Sequence, residues 1–170
     1  PPPVSHFSTT TDNCQGQSVA FTNQSTSPTG FINNWIWDFG DGNTQTVLFP
    51  ANPNVSHSYS GAGTYSVTLT VTNSEGCGVR DSIFVGLFPK AIVNEDNLAI
   101  FPTGCGASNG KITGLAVSGT EPFSFEWFDA GGNLIGNELD LIGLPVGNYF
   151  LHITDGNACL SVSDAYNIED

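Results

Sequence analysis

A chain of 170 residues carrying 3 Lys+Arg against 16 Asp+Glu has a formal net charge of −13. That excess excludes nucleic-acid partners, which are held by a basic footprint that displaces phosphate counterions. Hydrophobic residues are 39% and aromatic residues 11% of the chain, which excludes a disordered polymer, and no apolar run approaches the roughly 18 residues of a membrane span.

In chain order, the hydrophobic pattern has period two almost throughout. Val19 and Phe21 open it, followed by Trp35, Trp37 and Phe39 on one parity with Ile36 and Asp38 between them. Over residues 65–72, Tyr65, Val67, Leu69 and Val71 share one face, and Ser66, Thr68, Thr70 and Thr72 share the other. Successive side chains of a strand point to opposite sides, so each run predicts a strand with one face in a core and one in water. The second half repeats the pattern in Phe123, Phe125 and Trp127, then in Tyr149, Leu151 and Ile153. Turn residues punctuate the runs at 27–30, 41–43 and 131–133, and no segment has helical period. Many short strands separated by turns predict an all-β fold of sandwich type.

Two domains are expected, 1–88 and 89–170. Residues 63–77 read GTYSVTLTVTNSEGC and residues 147–159 read GNYFLHITDGNAC, two residues shorter. A Gly-x-Tyr start, alternating β-formers, a Thr-Asn or Thr-Asp step, a Gly-containing turn and a Cys recur in one order, the mark of two related modules in series. Residues 1–88 hold five acids and Arg80, a net of −4, whereas residues 89–170 hold eleven acids with Lys90 and Lys111, a net of −9. The joining residues Gly86-Leu87-Phe88-Pro89-Lys90 lack the composition of a flexible tether. Leu87 and Phe88 are therefore expected to pack between the domains and stiffen the pair into a rod. The chain contains no Met, position 1 included, and shows no signal peptide, so it is expected to be a piece of a longer one.

The four cysteines, Cys14, Cys77, Cys105 and Cys159, lack the two-residue spacing of zinc knuckles and redox motifs. Three disulfide pairings are open. A split near residue 88 favours Cys14–Cys77 and Cys105–Cys159, each closing a loop worth about 4 kcal/mol on the chain-entropy model. Such bridges persist in oxidising compartments, which points to export. Four buried free thiols are the alternative.

Trp37-Asp38-Phe39-Gly40-Asp41-Gly42 resembles the WDFGDG signature of polycystic-kidney-disease (PKD) domains. Phe21-Thr22-Asn23-Gln24-Ser25 before it, and His57-Ser58-Tyr59 and the stretch from Gly63 and Tyr65 to Val71 after it, follow the family's order. The resemblance implies an Ig-like β-sandwich in an extracellular or cell-surface protein, and so two tandem Ig-like β-sandwich domains here. The signature residues have a structural reading: Trp37 fills the inter-sheet space, Gly40 and Gly42 turn the chain, and Asp38 and Asp41 accept backbone hydrogen bonds. In the second half, residues 105–112, 119–127, 141–149 and 154–159 resemble the SprB-type repeat of large Bacteroidetes surface proteins. That resemblance implies export by the type IX secretion system.

No catalytic residues are assigned, since His6, His57 and His152 lie in ordinary strand or structural contexts and no nucleophile elbow, zinc-protease helix or phosphate loop occurs. Some PKD domains of secreted collagenases bind Ca²⁺ through an acidic stretch before the tryptophan strand. Here residues 27–34 carry no carboxylate, so no metal ligands or cofactors are assigned and Ca²⁺ stays an open alternative. Asp81-Ser82-Ile83 resembles a Bacteroidetes O-glycosylation motif. The expected function is a non-catalytic extracellular spacer and adhesion segment. Its partners would be neighbouring domains of the same chain and a surface polysaccharide or other extracellular ligand, with no nucleic acid. The alternative is a carbohydrate-binding accessory module of a secreted polysaccharide-degrading enzyme.

Overall fold

A computed structural model describes residues 1–10, 14–104 and 106–170. It divides into two compact units, Pro1–Pro89 and Lys90–Asp170. Among the described residues every regular element is a strand, and no helix is long and apolar enough to cross a membrane.

In the first unit the strands are β1 (Phe7–Thr9), β2 (Ser18–Asn23), β3 (Ile32–Asp38), β4 (Thr44–Leu48), β5 (Val55–Ser58), β6 (Gly63–Asn73) and β7 (Gly78–Leu87). They form two antiparallel sheets, ordered β1-β2-β5 and β4-β3-β6-β7. The period-two pattern of β6 decides which face is covered. Val67, Leu69 and Val71 are fully buried, while the threonines between them form the outer face. Val19, Phe21, Trp35, Trp37 and Phe39 join the same core. Each buried aromatic removes 150–250 Å² from water, so Trp37, at 0% exposure, is among the largest single contributions to the unit's stability.

The second unit contains β8 (Ile92–Asn94), β9 (Ala99–Phe101), β10 (Gly110–Thr113), β11 (Ala116–Ser118), β12 (Ser124–Asp129), β13 (Leu134–Gly136), β14 (Leu141–Leu144), β15 (Gly147–Thr154), β16 (Leu160–Val162) and β17 (Tyr166–Ile168). Its main sheet runs β13-β12-β15-β16, with β17 also on β15. Facing strands form a β14-β10-β9 sheet and a β11-β8 ribbon. Trp127, Leu151, Ile153, Ile112 and Ile168 make the centre of its own core. The main sheets of the two units share one strand order and one register. Trp37 lies opposite Leu69 in the first, and Trp127 opposite Leu151 in the second.

Leu87, the last inward position of β7, is 4% exposed within the core of the first unit. Phe88 remains 45% exposed. Cys77 is a free, half-buried thiol, so the pairing Cys14–Cys77 does not form. Cys77 immediately precedes β7, whereas Cys14 forms a bridge with Phe88, immediately after it. A ten-residue strand spans about 30 Å, and a disulfide needs Cα atoms within about 7 Å. Cys14 and Cys159 are each disulfide-bonded. The expected partner of Cys159, Cys105, lies outside the described residues.

Candidate functional site

The chemistry-bearing residues of the first unit converge where β3 turns into β4. Gly40 and Gly42 have φ of +78° and +92°, a left-handed backbone that favours glycine. A Cβ on Gly40 would also lie 2.6 Å from the Ser66 carbonyl oxygen, so β6 closes against this turn. Within it, the Gly40 N–H donates to Asp38 Oδ1 at 3.0 Å, and the Asn43 N–H donates to Asp41 Oδ1 at 3.0 Å. The Phe39 N–H donates to the Asn43 carbonyl at 3.1 Å and closes the loop.

Asp41 is the hub. Its Oδ2 lies 2.7 Å from His57 Nε2 and 3.0 Å from Asn43 Nδ2. Burial alone would raise its pKa, but the His57 and Asn43 hydrogen bonds outweigh burial and hold the carboxyl at about 2. An ionised carboxylate only accepts, so Nε2 of His57 carries the hydrogen. The imidazole stacks on Phe39 with centroids 4.1 Å apart and planes 8° from parallel, and Tyr59 meets its edge at 4.6 Å. The Tyr59 hydroxyl donates to the Phe39 carbonyl at 3.1 Å. Burial first, with the Asp41 charge adding, pushes that phenol up to about 12. Trp37 Nε1 donates to the Pro53 carbonyl at 3.1 Å, and the Tyr65 hydroxyl to the Gly61 carbonyl at 3.0 Å.

Nine of the ten signature residues lie in this turn or join it through His57, Tyr59 and Tyr65, whereas Gly63 pairs with Leu87 at the start of β6. Its side-chain hydrogen bonds either close the β3–β4 turn on itself or tie it to neighbouring chain segments. His6 and His152 sit elsewhere, beside Asp81 and Phe128 respectively. Among the described residues, no three His, Cys, Asp or Glu side chains are grouped as metal ligands would be. Residues 27–30 form a turn in which the Ser27 hydroxyl donates to the Thr29 carbonyl at 2.6 Å.

The second unit repeats these devices. Trp127 Nε1 donates to the Glu138 carbonyl at 2.9 Å. The Tyr149 hydroxyl donates to the Pro145 carbonyl at 2.8 Å, the same four-residue reach as Tyr65 to Gly61 and the geometry of a tyrosine corner. At the far end of the Tyr strands, Asn73 Oδ1 accepts from Glu75 and Cys77 N–H groups at 3.1 and 2.9 Å. Asp155 Oδ1 does the same for Asn157 and Cys159, both at 2.9 Å. The β12–β13 turn supplies a second internal echo, Trp127-Phe128-Asp129-Ala130-Gly131-Gly132-Asn133 against Trp37-Asp38-Phe39-Gly40-Asp41-Gly42-Asn43. Asp129 takes over the hub role, accepting from the Gly131 and Asn133 N–H groups at 2.8 and 2.9 Å and from Asn133 Nδ2. Bonds from Asn133 hold its carboxyl below the usual range. Asn43 and Asn133 are the residues that the motif reading left out, and their shared position six residues after each tryptophan is the signal that finds them.

A family model described as "PKD domain" matches residues 1–85. The chain is 37% identical over 108 residues to a microbial collagenase of Vibrio alginolyticus, covering 63% of this chain and 12% of that protein. It is 45% identical over 62 residues to the pre-pro-metalloprotease PrtV of Vibrio cholerae, covering 36% of this chain and 6% of that one. The chain thus spans a small fraction of the length of these curated relatives. Among solved structures, the PKD1 domain of Vibrio cholerae PrtV aligns at 34% identity with a TM-score of 0.44, covering 51% of this chain and 98% of that one. With the family model spanning residues 1–85 and the signature turn at its centre, this chain belongs to the PKD-domain family.

Proposed function

We propose that the chain is a non-catalytic, extracellular module pair that acts as a spacer and adhesion segment beside other domains of a larger protein. One observation carries this reading: the titratable groups of the signature are spent on fold geometry. The two carboxylate oxygens of Asp41 bond to His57 and to Asn43, and His57 is clamped between Phe39 and Tyr59. General acid–base chemistry needs such groups convergent and open to a substrate. The relatives support an accessory position, because this chain matches only 12% of a collagenase and 6% of a metalloprotease. The SprB-type resemblance of residues 100–160 extends the reading to a repeat of large surface proteins. Its Bacteroidetes source and type IX export route rest on those motifs, whereas the curated relatives are Vibrio proteins.

A swap tests the spacer role. The parent protein, with this pair replaced by two unrelated sandwiches of equal length, keeps its surface display and activity if the pair works by reach alone. Loss of display with the length preserved would refute that.

A carbohydrate-binding reading is favoured by one feature. Phe31 and Phe49 are 51% and 59% exposed and form an aromatic pair with centroids 5.1 Å apart. Retention of the chain on insoluble polysaccharide, abolished by Phe31→Ala or Phe49→Ala, would select this alternative over the spacer.

A further inference from the structure

We infer that the second unit holds a docking groove for an extended cationic peptide, which adds as a strand to the open edge of β12. The inference comes from comparing the two main sheets. In the first unit, β4 pairs with five residues of β3, Asn34 through Asp38. In the second, the shorter β13 pairs only with Trp127 and Phe128. Aligned on their tryptophans, Ser124, Phe125 and Glu126 correspond to Asn34, Trp35 and Ile36. The first-unit residues are covered by Leu48, Val47 and Thr46. Among the described residues no strand covers Ser124, Phe125 or Glu126 on that side, although all three pair with β15 on the other. An edge left in this way presents alternate N–H and C=O groups to whatever lies beside it.

What lies beside it is a groove of about 530 Å³. Phe123, Phe125 and Leu134 supply its apolar lining, and Glu126, Glu138 and Asn137 its polar lining. The two phenylalanines are half-buried against the core, whereas Leu134 is 58% exposed. No Lys or Arg lines it, and residues 89–170 carry eleven acids against two lysines. Two carboxylates facing an open strand edge favour a peptide bearing Lys or Arg at alternate positions, with apolar side chains between them on the Phe123–Phe125 surface. Main-chain bonds would supply affinity and side-chain pockets selectivity, the usual division of labour in strand addition. A glycan fits less well, because it stacks on free ring faces and has no use for a row of main-chain donors and acceptors.

The test is titration of the isotopically labelled chain with a capped seven-residue peptide of alternating Lys and Val, followed by amide chemical shifts. Shifts at Ser124, Phe125, Glu126, Asn137 and Glu138 are expected. An alternating Glu and Val peptide, and the Lys peptide methylated on alternate backbone nitrogens, are expected to leave them unmoved. The surface variants Glu126→Lys and Glu138→Lys, combined, should weaken binding about tenfold with the remaining spectrum unchanged. Absence of binding, equal binding of the methylated peptide, or shifts at these amides with cellohexaose or chitohexaose would each overturn the proposal. The spacer reading does not depend on this outcome, since it concerns the first unit's signature and the length of the pair.

Discussion

Replacing Asp41 by asparagine keeps the size of the side chain but removes its negative charge and one of its two acceptor oxygens. The carboxyl titrates at about 2 in the folded protein against 3.8 for the free group. At about 1.36 kcal/mol per pH unit, that difference amounts to about 2 kcal/mol of stability. The Asp41 and His57 side chains are 17% and 16% exposed, but Asp41 lies in an exposed turn, so solvent screening reduces the contribution to about 1–2 kcal/mol. The sign follows from the direction of the shift. Above 3.8 the unfolded carboxyl is ionised as well, and the full contribution is present. As the pH falls through about 2, the folded carboxylate takes up its proton and the contribution disappears. Urea unfolding monitored by Trp35 and Trp37 fluorescence, at several pH values between 2 and 7, reads both effects. Asp41→Asn should lose about 1–2 kcal/mol at pH 7, about 5–10 °C in midpoint for a unit of this size. Its stability should also change less with pH between 4 and 2 than that of the parent. A variant as stable as the parent at pH 7, or one with an unchanged acid limb, would refute the assignment of Asp41 as the ionised hub.

Three further tests separate the forces at work. Gly40→Ala should cost about 3 kcal/mol or more, since it meets both a left-handed backbone and the Ser66 carbonyl, whereas Gly42→Ala, with open space around it, should cost about 1 kcal/mol; thermal melts distinguish them. Tyr65→Phe and Tyr149→Phe each delete one tyrosine-corner hydrogen bond and should cost about 1 kcal/mol apiece, measured by chemical denaturation. Iodoacetamide followed by peptide mapping should modify Cys77 in the native chain and spare Cys14 and Cys159, and Cys77→Ser should leave the midpoint within about 2 °C of the parent.

The strands that carry long alternation were legible because their burial follows parity. Val67, Leu69 and Val71, like Trp35, Trp37 and Phe39, face one core as their spacing requires. The three-residue strands of the second unit, such as β8, β11 and β13, are too short to show a period at all. The Tyr-strand echo was visible in the letters. The tryptophan-turn echo was hidden because its hub carboxylate sits on the third residue of one copy, Asp129, and on the fifth of the other, Asp41. The Cys14–Cys77 pairing misled because order along the chain does not measure distance: β7 separates the two by its full length. The open edge of β12 has no sequence signal, since it is defined by where β13 stops pairing.

Excising residues 1–89 and measuring amide hydrogen exchange puts the central idea at most direct risk, namely that the PKD signature exists to close a self-sufficient core. Slow exchange at Val67, Leu69 and Val71, with one cooperative unfolding transition, is the expected result. Uniformly fast exchange across β6 in the isolated unit would contradict it.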